Sequence, residues 1–302
     1  MSDSAEPTPP FRTGFVTVIG RPNVGKSTLV NRLVGQKVAI VSDKPQTTRH
    51  RIRGILTTQR AQFVFVDTPG YQTRHRSALN RYMSRGVRQA VGDADCVMLV
   101  VEAGRFLPED RRLAHLIGSA VPVVLAVNKI DRIPKPKILP ALETWSRVGE
   151  FDEIIPLSAL KGDNVDRLEQ ILISRLPEGK ALYPDDFLTD LPERFFVAEM
   201  VRERILHHTR QEIPYVTGVV IESFKEEGGL VRIHVAILVE RDNQKGILIG
   251  RGGAMLKTVG TEARQQIEAF LGTKVFLGLF VKVREHWREN PRILEDMGLG
   301  KG

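Results

Sequence analysis

The sequence predicts a doubly wound α/β domain, its sheet mostly parallel with one antiparallel edge, followed by a smaller α+β domain. Three observations carry that prediction. From Phe15 to Leu176, short runs that are apolar throughout alternate with longer helical patterns, as a parallel sheet covered by helices on both faces requires. Residues 178–193 lose periodicity and collect Pro and acid (Pro184, Asp185, Asp186, Pro192, Glu193), the mark of a linker. Beyond them the order becomes helix, two strands, two helices, strand and a terminal helix, which suits a three-stranded sheet with helices on one face.

The elements follow in order. Phe15–Ile19 reads as the first strand, Phe63–Val66, Cys96–Val101 and Val121–Val127 as further buried strands, and Ile154-Ile155 as a short last one. Arg51–Thr58 precedes the second run across a tight turn at Gln59-Arg60, so this pair is expected as the antiparallel edge. In the second half an amphipathic helix is expected over Arg194–His208. Strands follow over Val216–Phe224 and Leu230–Glu240, joined by Glu226-Glu227-Gly228-Gly229. A Gly-punctuated helical stretch runs from Lys245 to Leu271, and a strand from Val275 to Val283. The resulting division is a disordered tail over 1–12, a first domain over 13–177, the linker over 178–193, and a second domain with a C-terminal tail over 194–302.

Composition removes several classes. The chain has 302 residues, 42 % hydrophobic and 26 % charged, enough to bury two cores and unlike a disordered protein. The single cysteine, Cys96, excludes an intramolecular disulfide and a cysteine-rich metal site and suits a reducing cytosol. No run of 18 apolar residues and no secretory leader is seen, so a cytoplasmic location is expected. The net charge of +8 is unevenly spread: residues 44–88 hold ten Lys or Arg against Asp67 alone, and residues 241–284 sum to +5. Such an excess favours an acidic partner without naming it.

Motifs sharpen the reading. Gly20-Arg21-Pro22-Asn23-Val24-Gly25-Lys26-Ser27 has the spacing G-x-x-x-x-G-K-S after a strand, with Thr28 opening the next helix. Glycines there let backbone N–H groups wrap a β-phosphate, Lys26 reaches the outer phosphates, and the Ser27 hydroxyl can ligate Mg²⁺. Asp67-Thr68-Pro69-Gly70 puts a carboxylate at a strand end, where it can hold Mg²⁺ through water, and a Gly70 N–H toward the γ-phosphate. Asn128-Lys129-Ile130-Asp131 decides the base: the Asp131 carboxylate can accept from N1–H and N2–H₂ of guanine, a donor pair adenine lacks. Ser158-Ala159-Leu160 then offers a backbone N–H to guanine O6. All four stand at C-terminal strand ends, where open α/β sheets bind ligands.

These motifs resemble those of the translation-factor class of P-loop GTPases. The resemblance implies GTP/GDP and Mg²⁺ as cofactors, and a first switch at Pro45-Gln46-Thr47-Thr48-Arg49-His50-Arg51, with Thr48 as the Mg²⁺ ligand and Thr47 as the alternative. The glutamine that orients water in Ras-like proteins is replaced by Tyr71, so intrinsic hydrolysis is expected to be slow. Some members with Asn at the position of Asn23 bind K⁺ beside the phosphates. The catalytic set is then Lys26, Thr48, Gly70 and, through K⁺, Asn23; Arg74 and Arg76 read as solvated residues rather than fingers.

Gln244-Lys245-Gly246-Ile247-Leu248-Ile249-Gly250-Arg251-Gly252-Gly253 contains G-x-x-G, followed by a helix carrying Lys257. With two strands before it and a helix and strand after, it looks like a type II KH domain, in which such a turn clamps about four nucleotides. Lys245, Gly246, Gly250, Arg251, Gly252, Gly253 and Lys257 are then the backbone-gripping residues, and Ile247, Leu248 and Ile249 the groove on which bases lie. Four GTPase motifs joined to a terminal KH domain resemble the Era GTPases over residues 13–295. That resemblance implies RNA binding at the 3′ end of small-subunit ribosomal RNA, a role in 30S assembly, weak peripheral contact with the inner face of the cell membrane, and action as a monomer. From the residues alone, a P-loop ATPase or small-molecule kinase and a non-catalytic RNA chaperone with structural nucleotide stay open. Cys96 reads as a buried strand residue and His207-His208 as a polar helix end; Glu102 and Asp110 receive no role.

Overall fold

The computed structural model describes residues 10–71, 77–118 and 120–299; Arg74 and Arg76 and most of the expected tail lie outside them. The described residues form two compact units, one holding those up to 39, 51–71 and 87–190, the other 40–50, 77–86 and 191–299. Compactness therefore does not divide the chain into two contiguous halves.

The first unit contains β1 (Arg12–Ile19), α1 (Lys26–Val34), β2 (Ile52–Thr57), β3 (Ala61–Asp67), β4 (Cys96–Glu102), α3 (Pro108–Ile117), β5 (Val123–Asn128), α4 (Ile138–Ser146), β6 (Glu153–Pro156) and α5 (Val165–Arg175); α2 (Ala78–Gly92) precedes β4. Strand order is β2-β3-β1-β4-β5-β6. β2 is antiparallel to β3 and every other pairing is parallel, which is the predicted sheet. All seven residues of β3 are buried, so its hydrophobic run cannot alternate. One core, with Val16, Leu29, Phe63, Phe65, Met98 and Leu168, fills one face of the sheet. The other, with Ile19, Leu99, Val101, Leu125 and Trp145, fills the opposite face.

Cys96 is fully buried on β4, and burial pushes its thiol up to about 12, as befits an inert strand residue. The first expected tail residue to be ordered in a strand is Arg12, which opens β1.

Residues 177–190 run along this sheet as a hydrogen-bonded strap. Thr13 N donates to Pro177 O (3.0 Å), Gly179 N to Phe11 O (3.1 Å) and Ile55 N to Leu188 O (2.8 Å), and Arg53 pairs with Asp190 at 2.5 Å. The buried Gln62 amide ties the middle: its oxygen accepts Leu182 N and Tyr183 N (2.6 and 2.9 Å), and its nitrogen donates to Tyr183 O (2.8 Å). Absence of periodicity reflected a chain whose backbone, rather than an apolar face, makes the contacts.

The second unit contains α6 (Glu193–His208), α7 (Ile213–Val216), β7 (Gly218–Glu227), β8 (Leu230–Val239), α8 (Asp242–Ile249), α9 (Ala254–Leu271), β9 (Lys274–Val283) and α10 (Pro291–Asp296). The sheet order is β7-β8-β9, with β7 antiparallel and β9 parallel to β8. Val197, Val201, Ile205, Ile233, Val235, Ile237, Ala263 and Ile267 form its core. Val216, expected to open a strand, ends α7 instead, the turn being stapled by Thr217 Oγ1 donating to Ile213 O at 2.7 Å.

α6 departs from the amphipathic expectation: Glu199, Arg202 and Glu203 are also buried. Segment 40–50 covers its polar side. Arg202 pairs with Glu199 at 2.6 Å and donates to the carbonyls of Gln46 and Thr47, and Val41 N donates to Glu203 Oε1 at 3.0 Å. Arg49, 2 % exposed, donates to Thr217 O at 2.7 Å and Pro214 O at 3.0 Å and lies over the Trp287 ring.

Replacing Gln62 by Leu keeps the volume but removes the partner of two N–H groups and a carbonyl that are only part-buried, so water takes up part of a loss of roughly 1–3 kcal/mol for each. The expected outcome is faster amide exchange at Leu182 and Tyr183 with β4 and β5 amides still protected, read by hydrogen exchange.

Candidate nucleotide and RNA sites

The first site lies where β1, β3 and β5 end. The phosphate loop leaves β1 at Gly20 and enters α1 at Lys26, so the first N–H groups of α1, which have no partner in the helix, face the space above the sheet. Gly25 has φ 102° and a Cβ there would collide with the Asn128 side-chain nitrogen; only glycine lets the loop lie against β5. Gly70 is constrained in the same way, because a Cβ would come within 2.7 Å of Pro22 N. These two approaches bring the loop, the Asp67–Gly70 turn and the Asn128–Asp131 turn together.

Asn128, 2 % exposed, joins three segments. Its nitrogen donates to Val24 O at 2.8 Å, and its oxygen accepts Lys129 N at 2.8 Å and Ala159 N at 2.9 Å. Lys129 stretches back over the loop to Asn23 O at 2.6 Å, and Ser158 Oγ donates to Asp131 Oδ1 at 2.6 Å. Asp131 is thereby fixed as a carboxylate acceptor beside the Ser158-Ala159-Leu160 turn, the arrangement that fits guanine. Leu160 is 60 % exposed, so only its backbone serves the site.

At the phosphate end, Lys26 Nζ donates to Gly20 O and Arg21 O at 3.2 and 3.0 Å. Burial pushes this ammonium down to about 8, with Asp67 opposing the shift and Arg21 adding to it. Ser27 Oγ donates to Asp67 Oδ2 at 2.6 Å. A hydroxyl and a carboxylate in contact at a loop built for phosphate are the hard oxygen donors that Mg²⁺ takes, with phosphate oxygens and water completing its shell. Thr28 stands half-buried behind Ser27 in α1, and Asn23 is exposed with φ 63°. Tyr71, half-buried, packs against the Ile19–Leu99 core.

Sequence reasoning missed three braces. Arg21 Nε donates to the fully buried Asp110 at 2.5 Å, fixing the loop to the start of α3. Glu102 pairs with Lys129 at 3.3 Å, and Arg32 donates to Ala159 O and Leu160 O at 2.6 and 2.7 Å. No local pattern announces partners so far apart in sequence. Thr47 and Thr48, the expected Mg²⁺ ligands, belong to the second unit. Thr47 Oγ1 donates to Lys44 O at 2.6 Å, and Thr48 is buried.

In the second unit α8 stops at Gly250 (φ 73°), Arg251–Gly253 form one tight turn, and α9 starts at Ala254. Gly252 and Gly253 also have positive φ. Arg251, Gly252 and Lys257 are exposed around this turn, Lys245 is half-buried one turn earlier, and Gly246 is exposed. The groove expectation needs one correction: Leu248 is 1 % exposed and belongs to the core. A helix shows neighbouring residues about 100° apart, so of the three only Ile247, 46 % exposed, and the half-buried Ile249 offer apolar surface. His207 and His208 are spent on Val41 O and Glu262, and no metal-binding cluster of His, Cys, Asp and Glu occurs among the described residues.

Fold and site define a guanine-nucleotide-binding P-loop domain coupled in one chain to a KH domain. Family models agree: residues 15–129 match the 50S ribosome-binding GTPase model, and residues 212–288 match a KH domain model. The chain is 49 % identical over 300 residues to GTPase Era of Trichlorobacter lovleyi, covering 99 % of each chain, and 50 % identical over 293 residues to GTPase Era of Geobacter metallireducens. Two solved structures align over 96 % of this chain and 100 % of theirs, each with TM-score 0.93 and 38 % identity. One is a tyrosine-to-alanine variant of Aquifex aeolicus Era bound to GDP·AlF4⁻, the other Era in complex with MgGDPNP and nucleotides 1506–1542 of 16S ribosomal RNA. The chain belongs to the Era family of GTPases, and it is a GTP-hydrolysing enzyme.

Two outcomes test the site. Phosphate binding favours charged Lys26, which the empty protein loses above about pH 8. GTP affinity should therefore fall by up to about tenfold per pH unit between roughly 8 and 10, with proton uptake on binding. Calorimetry in buffers of different ionisation heat reads the uptake, and Lys26→Met removes it. Over the same window the unfolded chain still holds the proton the folded one has released, so nucleotide-free stability rises with pH. Asp131→Asn should shift preference from GTP to XTP, measured by competition binding, with ATP excluded in both forms.

Proposed function

We propose that this protein is a GTP-driven switch that grips the 3′ end region of small-subunit ribosomal RNA through its KH domain and acts in 30S assembly. The observation that carries the proposal is the pairing, in one chain, of a guanine-reading Asp131 held by Ser158 with a positive-φ Gly250–Gly253 turn in a basic setting. The relative that binds nucleotides 1506–1542 of 16S ribosomal RNA supports the choice of RNA. A small-molecule kinase is disfavoured by the guanine-specific turn, and a purely structural nucleotide by the lysine and hydroxyl–carboxylate pair set at the outer phosphates.

In this reading Lys26 binds the β- and γ-phosphates, Gly70 offers its N–H to the γ-phosphate, and Ser27, Thr48 and, through water, Asp67 would hold Mg²⁺. The ion would neutralise charge on the transferring phosphoryl group. Lys129 and Asn128 hold the loop rigid, so positioning rather than a side-chain base performs catalysis. Tyr71 leaves the attacking water without a glutamine, which sets slow basal turnover. Asn23, exposed in the loop with φ 63°, would recruit K⁺ in the role of an arginine finger. The RNA grip comprises Lys245, Gly246, Ile247, Ile249, Gly250, Arg251, Gly252, Gly253 and Lys257, with Leu248 supporting it from the core. The protein works as a cytoplasmic monomer, and its net charge of +8 supports loose attachment to the anionic inner face of the cell membrane. No helix among the described residues is long and apolar enough to cross it.

Filter binding of ribosomal RNA fragments with GTP, GDP and no nucleotide tests the switch: affinity should be highest with GTP, and nucleotide-independent binding overturns it. Turnover should be on the order of a hundredfold faster in K⁺ than in Na⁺, the scale one aligned electrostatic donor supplies. Asn23→Ala should erase the difference; equal wild-type rates in the two salts remove the cation from the mechanism.

A further inference from the structure

The face of the β7-β8-β9 sheet opposite α6 and α9 carries an array of rings that neither the nucleotide site nor the Gly250–Gly253 turn uses. Alternation along β9 puts Phe276, Gly278 and Phe280 on this face, and the two phenylalanines are 46 % and 50 % exposed. Register sets Arg232 beside Phe276 and His234 beside Gly278. The His234 ring lies 5.8 Å from Phe276 and 6.1 Å from Phe280, within 18° of parallel to the latter. The Arg232 guanidinium stands 5.6 Å from the Phe276 ring centre. Gly278 makes room for the imidazole, since a Cβ there would come within 3.0 Å of His234 Cδ2.

The rest of the same face is closed. Ala236 and Leu238 are buried with Leu79, Met83 and Trp287, so the chain covers the apolar part of the sheet and leaves a bounded shelf of three rings and a guanidinium. Charge on the shelf's surround is cationic: Lys225, Arg232, Lys274 and Lys282 against Glu222 and Glu227, which pair with Lys282 and Arg232 at 2.5 and 3.0 Å. Rings interleaved with cations suit unpaired bases joined by phosphates, which stack on π-faces and carry the complementary charge. An apolar protein partner would be better matched by a shelf without the four cations.

We propose that this shelf is a second single-strand nucleic-acid site, in which bases stack on Phe276, His234 and Phe280 while Arg232, Lys225, Lys274 and Lys282 neutralise the backbone. It rests on the reading of the KH unit as an RNA binder, and adds to the turn a second hold on the same strand.

The test uses the full chain and a twelve-nucleotide oligouridylate carrying one 2-aminopurine, whose fluorescence reports stacking. Gly252→Asp places a carboxylate at the turn and disables that grip, isolating the shelf. Residual binding and quenching should persist in this variant. Phe276→Ala and Phe280→Ala in the same background should each weaken it about tenfold, within the range measured for one base on one ring. Phe276→Trp should restore it. All three positions changed are exposed, and unchanged thermal unfolding verifies the fold. If Gly252→Asp abolishes all binding, or ring removal leaves the residual binding intact, the shelf is not a site even though the KH reading stands. If ring removal instead changes the sedimentation of the chain with itself, the face is a self-association surface and the proposal fails. If the unaltered chain does not bind the probe, both readings fall.

Discussion

Asn128 is a small side chain with three possible hydrogen-bond partners in reach, and it uses all of them: one carbonyl of the phosphate loop and two N–H groups of the turns that hold the base. A buried amide left half-satisfied costs on the order of 1–3 kcal/mol, so the three segments gain stability only when they meet in one geometry. That geometry in turn dictates glycine at position 25, where any side chain would strike the amide. The distance between the phosphate and base ends of the site is thus set inside the protein before nucleotide arrives. Arg21, Glu102, Asp110 and Arg32 hold the same frame from outside. Little reorganisation is left for the moment of reaction, which is the condition under which fixed dipoles are most effective.

The second unit is organised by a different constraint. Arg49, Arg202 and Glu199 are all buried, and charges removed from water need partners of good geometry. Arg202 lowers the Glu199 carboxyl below its ordinary range despite the opposing effect of burial, so the carboxylate is ionised where it lies. Arg49 meets mainly carbonyl oxygens, and burial pushes its guanidinium down to about 9. Segment 40–50 is held largely by such directional contacts to backbone rather than by apolar area. A segment held this way has a defined seat, and its release exposes charges that water readily receives.

Much of this was legible in the sequence because the chemistry is local. The G-x-x-x-x-G-K-S spacing, the doubly apolar strands and the Asn128–Asp131 turn each act within a few residues, and all reappear at the expected strand ends. What was not legible depends on distant partners. Glu102 and Asp110 showed nothing that assigned them a role, since the groups they hold are Lys129 and Arg21. The α6 helix read as amphipathic because its polar residues are normally solvated, and their burial comes from partners distant in sequence, segment 40–50 and, for Glu203, Gln266 of α9. Leu248 looked like one of three groove residues until the 3.6-residue turn of α8 sent it into the core.

The strap over residues 177–190 has a further meaning for the sheet. β2 is an edge strand, and an uncovered edge offers its unpaired amides to any passing extended chain. Ile55 N is occupied by Leu188 O, and Asp190 engages Arg53 on the same strand. A shortened protein ending after α5 would retain every motif for nucleotide yet lose this guard, and fibril-like stacking through β2 would then compete with solubility. The stretch that joins the two halves thereby also keeps the first of them from sticking to its own copies.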